Sequence, residues 1–146
     1  MNPQLTGIIV GGLLPAVFFA LSAPFIRWST QAGIGIGLYL ICVGLAVVVV
    51  GAAFHLYFRD MTISPRSGLA AAGMGAMWAI GAGLVAVAVW KYPIPLSKLV
   101  PLYNMNTLIA VLLSLWIFAE WQNVNVLKLL VGALLVVIGG TLVALA

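Results

Sequence analysis

Charge is what this chain has least of. Its 146 residues include six Lys and Arg, two Asp and Glu and one His, so only 5% are charged. A soluble domain carries about 25% charged residues to wet its surface. A water-facing globule is therefore excluded. With 65% hydrophobic residues and a mean hydropathy of +1.28, the composition is that of an integral membrane protein. Two acids, one His (His55) and one Cys (Cys42) cannot supply a metal-ligand cluster, so no metal is expected. Nor do they offer a nucleophile with a base and an orienting group. No Gly-rich phosphate loop follows a strand, so neither an enzyme nor a cofactor is expected. The six basic residues form no cluster, which argues against nucleic acid as a partner. A single Cys excludes an intrachain disulfide, and packing is the expected role for Cys42. Asp60 and Glu120 both fall at the ends of apolar runs, so the usual sign of an intramembrane proton carrier is missing.

Apolar runs are what the chain does have, and they predict an all-α bundle of five transmembrane helices in one domain, residues 1–146. The opening MNPQLTG lacks a basic n-region, so the first run is expected to stay on the protein. That run spans Leu5 to Ser22, with Pro15 as a kink, Gly7 and Gly11 at GxxxG spacing, and Pro24 and Arg27 at its exit. A second runs from Gly33 to Phe58. His55 near its end reads as an interfacial His among aromatics, with a proton relay as the alternative. A third, Gly68 to Trp90, is nearly all Gly and Ala and is expected to be packed on several sides. Trp78 is its one bulky residue near mid-membrane. The fifth starts at Val126. Gly132 and Gly139, seven apart, suggest a close helix contact on one face. Connections are short, leaving no room for an extramembrane domain.

The fourth run is different. From Lys98 to Glu120 no charge intervenes, and a helix of that length is roughly 33 Å long, enough for a bilayer core of ~30 Å. Yet it carries Asn104, Asn106, Thr107 and Ser114. Polar side chains at depth are costly unless they meet partners or a water-filled cavity. On a continuous helix Asn104, Thr107 and Ser114 share about one quadrant, while Asn106 points elsewhere. This predicts a solute path lined by Asn104, Thr107 and Ser114, with Tyr103 and Trp78 as candidate walls and Asn106 holding a neighbouring helix; for Trp78 core packing is the first expectation and the wall the alternative. Glu120 is expected at the membrane interface, paired with a helix terminus or with Lys128. A role in ion coupling is the alternative.

The segment WKYPIPLSKLVPLYNMNTLIAVLLSLWIFAEW, followed by a Gly-rich helix, resembles the fourth and fifth helices of the EamA-type unit of the drug/metabolite transporter superfamily. Pro101, Glu120, Gly132, Gly139 and Gly140 carry the match. LLPAVFFALSAPFIRWS is a looser match to that family's first helix, and PLYNMNTLIAVLL also resembles its sugar-uptake branch. The resemblance implies transport of a small organic metabolite (a sugar, an amino acid or similar) by alternating access, in a plasma or inner membrane. Family members carry two five-span halves of opposite orientation, so this chain is similar to one half of an inverted-repeat transporter. An antiparallel homodimer would rebuild the pair. The charges agree with that reading: Arg59, Arg66 and Lys128 fall on one side of the membrane, and Arg27, Lys91 and Lys98 on the other, so no orientation is favoured. The competing expectation is a non-transporting accessory subunit, in which the amides serve only as interhelical glue.

Overall fold

The computed structural model describes residues 2–59, 61–92, 94–122 and 124–146. Among them the secondary structure is helical, with no strand. Five helical segments are long and apolar enough to cross a membrane: Pro3–Gln31, Ile36–Phe58, Pro65–Lys91, Leu96–Ile117 and Val126–Leu145. The chain is an integral, multi-pass membrane protein by this measure. Asp60, Pro93 and Asn123, which the sequence puts at turns, lie outside the described residues.

The chain divides into two compact units, Met1–Pro93 and Ile94–Ala146. The first opens with α1 (Pro3–Ile8), a π turn (Ile9–Leu13) and α2 (Leu14–Gln31), which run together as one span. Asn2 caps the start through its side chain, which accepts from the Gln4 N–H at 3.0 Å. The π turn lies directly before Pro15. There Leu14 N–H reaches back five residues to the Ile9 carbonyl, widening the turn next to the residue that has no N–H.

The span does not end at Pro24, as the sequence suggests, but continues through it to Gln31. Its stop is Gly33, at φ 88°. Gly33 N–H bonds to Thr30 O at 3.2 Å and Ile34 N–H to Ser29 O at 3.4 Å, the paired closure of a Schellman cap. A proline removes one hydrogen bond and a long helix tolerates that, whereas a left-handed glycine turns the chain away. Polar side chains within the span satisfy themselves locally. The buried Thr30 hydroxyl donates to the Ile26 and Arg27 carbonyls at 2.8 and 3.1 Å, and Ser22 donates to Phe19 O at 2.7 Å.

Helix α3 (Ile36–Phe58) ends at Arg59, held in the left-handed region at φ 51°, ψ 32°. Helix α4 (Pro65–Lys91) begins with a reciprocal cap. Ser64 Oγ accepts from the Ser67 N–H at 3.2 Å, Ser67 Oγ accepts from the Ser64 N–H at 2.9 Å, and Pro65 occupies the first helical position. Within this unit α4 packs on α2 and α3. Within this unit α4 is enclosed only near its C-terminal end. Gly83 and Ala86 are buried there, and a Cβ on Gly83 would meet Leu40 Cδ1 at 3.2 Å. Gly73, Gly75 and Gly81 face open space, as do Gly7 and Gly11. Small residues permit close approach but do not by themselves bring a neighbour.

The second unit holds α5 (Leu96–Tyr103), α6 (Asn106–Ile117), a 3₁₀ turn (Glu120–Gln122) and α7 (Val126–Leu145). Helix α7 packs against both α5 and α6, burying Leu115 and Ala133. The glycine at the crossing is Gly140. A Cβ there would lie 2.9 Å from the Pro101 carbonyl oxygen and 3.1 Å from Met105 Cγ. Gly132 and Gly139, the pair singled out by spacing, have nothing within 4 Å. Asn125 caps α7, its Oδ1 accepting from the Lys128 N–H at 3.0 Å.

Helix α6 stops where Ala119 turns left-handed, at φ 53°. A Cβ in that region costs about 1–2 kcal/mol that glycine avoids. Ala119→Gly is therefore expected to stabilise the protein by about 1 kcal/mol, allowing for glycine's greater freedom when unfolded. A thermal melt in detergent checks this. An unchanged or lowered melting temperature would mean that the left-handed turn carries no strain.

Candidate solute site at the break in the fourth span

The continuous helix expected from Lys98 to Glu120 is not what forms. The span is two helices, α5 and α6, joined by a turn at Asn104 and Met105. The backbone pairing shows how it breaks. Met105 N–H, which in a continuous helix would reach Pro101 O, bonds to Leu102 O at 3.2 Å. Thr107 N–H, which would reach Tyr103 O, bonds to Asn104 O at 3.2 Å, and Leu108 N–H bonds to Met105 O at 3.3 Å. The ladder has tightened from four-residue to three-residue closure. The carbonyls of Pro101 and Tyr103 lose their helical donors.

Two causes meet here. Pro101 has no N–H and weakens the helix one turn ahead of the break. Its carbonyl also lies against Gly140 of α7, where a Cβ would meet it at 2.9 Å. Asn104 and Asn106 favour the outcome, because short amide side chains compete with the helical backbone. Thr107 then locks the turn, its hydroxyl donating to Asn104 O at 2.8 Å.

The break re-sorts the expected lining. Asn104 sits in the turn and is exposed. Thr107 is exposed in the first turn of α6. Ser114 lies seven residues on, on the same face, and is half-buried. Asn106 opens α6 and is exposed. Tyr103, the last residue of α5, is 36% exposed. These five come from one unit. Trp78 belongs to α4 in the other unit, where it is 47% exposed. Pro101 is half-buried. Glu120 opens the 3₁₀ turn beyond the left-handed Ala119, is exposed, and makes no ion pair with Lys128. The pairing expected between those two is therefore not formed. Lys128 is instead in the first turn of α7, where only its backbone N–H is engaged, by Asn125. Among the described residues no group of three or more His, Cys, Asp or Glu could hold a metal ion.

What the arrangement offers is neutral hydrogen-bonding chemistry inside an apolar span. Tyr103 O is an acceptor without its helical donor. The Asn104 amide both donates and accepts, and the Thr107 hydroxyl keeps its lone pairs after donating to Asn104. In hydrocarbon such groups cost several kcal/mol each unless they are answered. Non-helical backbone at that depth is tolerated where it is buried in protein or lines a water-filled cavity.

Met105 and Gly140 were not singled out by sequence reasoning as part of this site. The proline three residues before Asn104 carried a signal for the break. The partner glycine carried none that distinguished it from Gly139. The chain matches no protein-family model, no curated protein and no solved structure.

Proposed function

We propose that the chain is a transporter subunit that moves a small organic metabolite across a membrane by alternating access. In this reading it is one EamA-like, five-helix half of an inverted pair, completed by a second copy in the opposite orientation. The observation that carries it is the broken fourth span. A discontinuous membrane helix with released carbonyls and amides at the break is how many secondary transporters build a solute site near the bilayer midplane. The break begins eight residues into a 22-residue span, within the hydrocarbon by length. Glu120 lies outside that span, so it is assigned an interfacial role here and not ion coupling.

The test is solvent access at the break. In a Cys42→Ala background, single cysteines at positions 104, 107 and 114 are expected to react with a membrane-impermeant thiol reagent. A cysteine at Leu112, an apolar position of the same helix, is expected to stay unlabelled. Labelling is expected to fall when the correct solute is added. Protection of all three polar positions in every condition would favour the accessory-subunit reading, in which the amides only hold a neighbouring helix.

A further inference from the structure

A second feature lies in the other unit, at the connection between α3 and α4. A groove of about 520 Å³ there is lined by both polar side chains, His55, Thr62 and Ser67, and apolar ones, Met61, Ile63 and Ala71. Its level is set by length: α3 has 23 residues, roughly 33 Å of helix, so its end reaches the headgroup region of a bilayer. The side chains agree. Phe54 and Phe58 stack at 5.9 Å, Tyr57 meets Phe58 edge-on at 4.9 Å, and Tyr57 is 82% exposed, as expected for an aromatic interface belt. Met61 and Ile63 are 82% and 80% exposed, although they lie outside any helix. Two large apolar side chains this exposed on a connection fit contact with acyl chains better than with water.

We infer that this groove holds an anionic glycerophospholipid, with its phosphate toward Arg59 and Arg66 and an acyl chain along Ile63 and Ala71. The sign follows from charge. From Arg59 to Arg66 the sequence carries two arginines against the one aspartate, Asp60, a balance of +1. Arg59 closes α3, its N–H bonded to the carbonyl of the groove residue His55 at 2.8 Å, and Arg66 immediately precedes the groove residue Ser67. Both arginines are exposed. A basic residue near a membrane surface strengthens anionic-lipid binding by about fivefold. With Asp60 offsetting one arginine, the balance of +1 gives roughly a fivefold preference for an anionic over a zwitterionic headgroup with the same chains. This site is independent of the proposed transport.

Native mass spectrometry of the full chain in detergent tests it, with phosphatidylglycerol and phosphatidylcholine of identical acyl chains as probes. The unaltered protein is expected to retain phosphatidylglycerol preferentially. Arg59→Asn with Arg66→Gln is expected to abolish the preference; asparagine tolerates the left-handed backbone at position 59. Ala71→Leu, which keeps both arginines but adds bulk to the apolar lining, is expected to reduce retention of both lipids. Equal retention of the two lipids by the unaltered protein would overturn the inference, whether or not the arginine variant folds. So would a normal lipid count in Ala71→Leu. Displacement of phosphatidylglycerol by inorganic phosphate would also overturn it, since the site would then be one for soluble anions.

Discussion

Gly140→Val is expected to destabilise the protein by about 3 kcal/mol or more, at or beyond the upper end of the usual cost of overpacking. The first added carbon would already lie 2.9 Å from the Pro101 carbonyl oxygen. That oxygen belongs to backbone, so it can retreat only if α5 moves away from α7. The second contact, Met105 Cγ at 3.1 Å, can relax through side-chain rotation. Gly140→Ala is therefore expected to cost about 1–3 kcal/mol. Adding Met105→Ala should recover only part of it. Gly139→Ala is the matched control. Its Cβ meets nothing within 4 Å, and in a helix interior alanine is favoured over glycine by up to ~1 kcal/mol. Thermal melts in one detergent separate these cases. If the 139 and 140 variants melt alike, the α5–α7 crossing is not as close as described. Full recovery by Met105→Ala would place the clash on the side chain and not on the backbone.

The second large effect is on topology. Reporter fusions at the C-terminus are expected to be active on both sides of the membrane: an alkaline phosphatase fusion outside the cytoplasm, and a fluorescent-protein fusion inside it. The charge count behind this expectation is unaffected by the helix boundaries found here. Arg27 lies within α2, near its end, and Lys98 lies in the first turn of α5, so neither changes sides. On the five-span reading, three basic residues are still assigned to each side. Orientation follows the excess of Lys and Arg in short cytoplasmic loops, and here there is none. Adding one lysine beside Arg66 and another beside Arg59 should bias the chain to a single orientation and silence one reporter. A single active reporter in the unaltered protein would remove the antiparallel homodimer. The proposed transporter would then need a different, oppositely oriented chain as its partner.

Sequence alone determined the solvent of this protein and the number of its spans. Both follow from sums over many residues. An apolar run of some 20 residues crosses a bilayer whatever its neighbours are, so local errors average out. The same reasoning failed where one hydrogen bond or one contact decided the outcome. Pro24 is a helix breaker by propensity, yet α2 runs through it and stops at Gly33, because a chain turns where the backbone is left-handed and capped. The polar residues of the fourth span were legible as a candidate site, but their arrangement was not. A helical wheel assumes an unbroken helix, and beside the break a carbonyl of α5 meets a glycine of α7, some 40 residues apart in sequence. Gly139 and Gly140 are equivalent in sequence. Only the packing of α7 against α5 makes one of them open and the other indispensable, because a missing Cβ matters only where another backbone occupies its place.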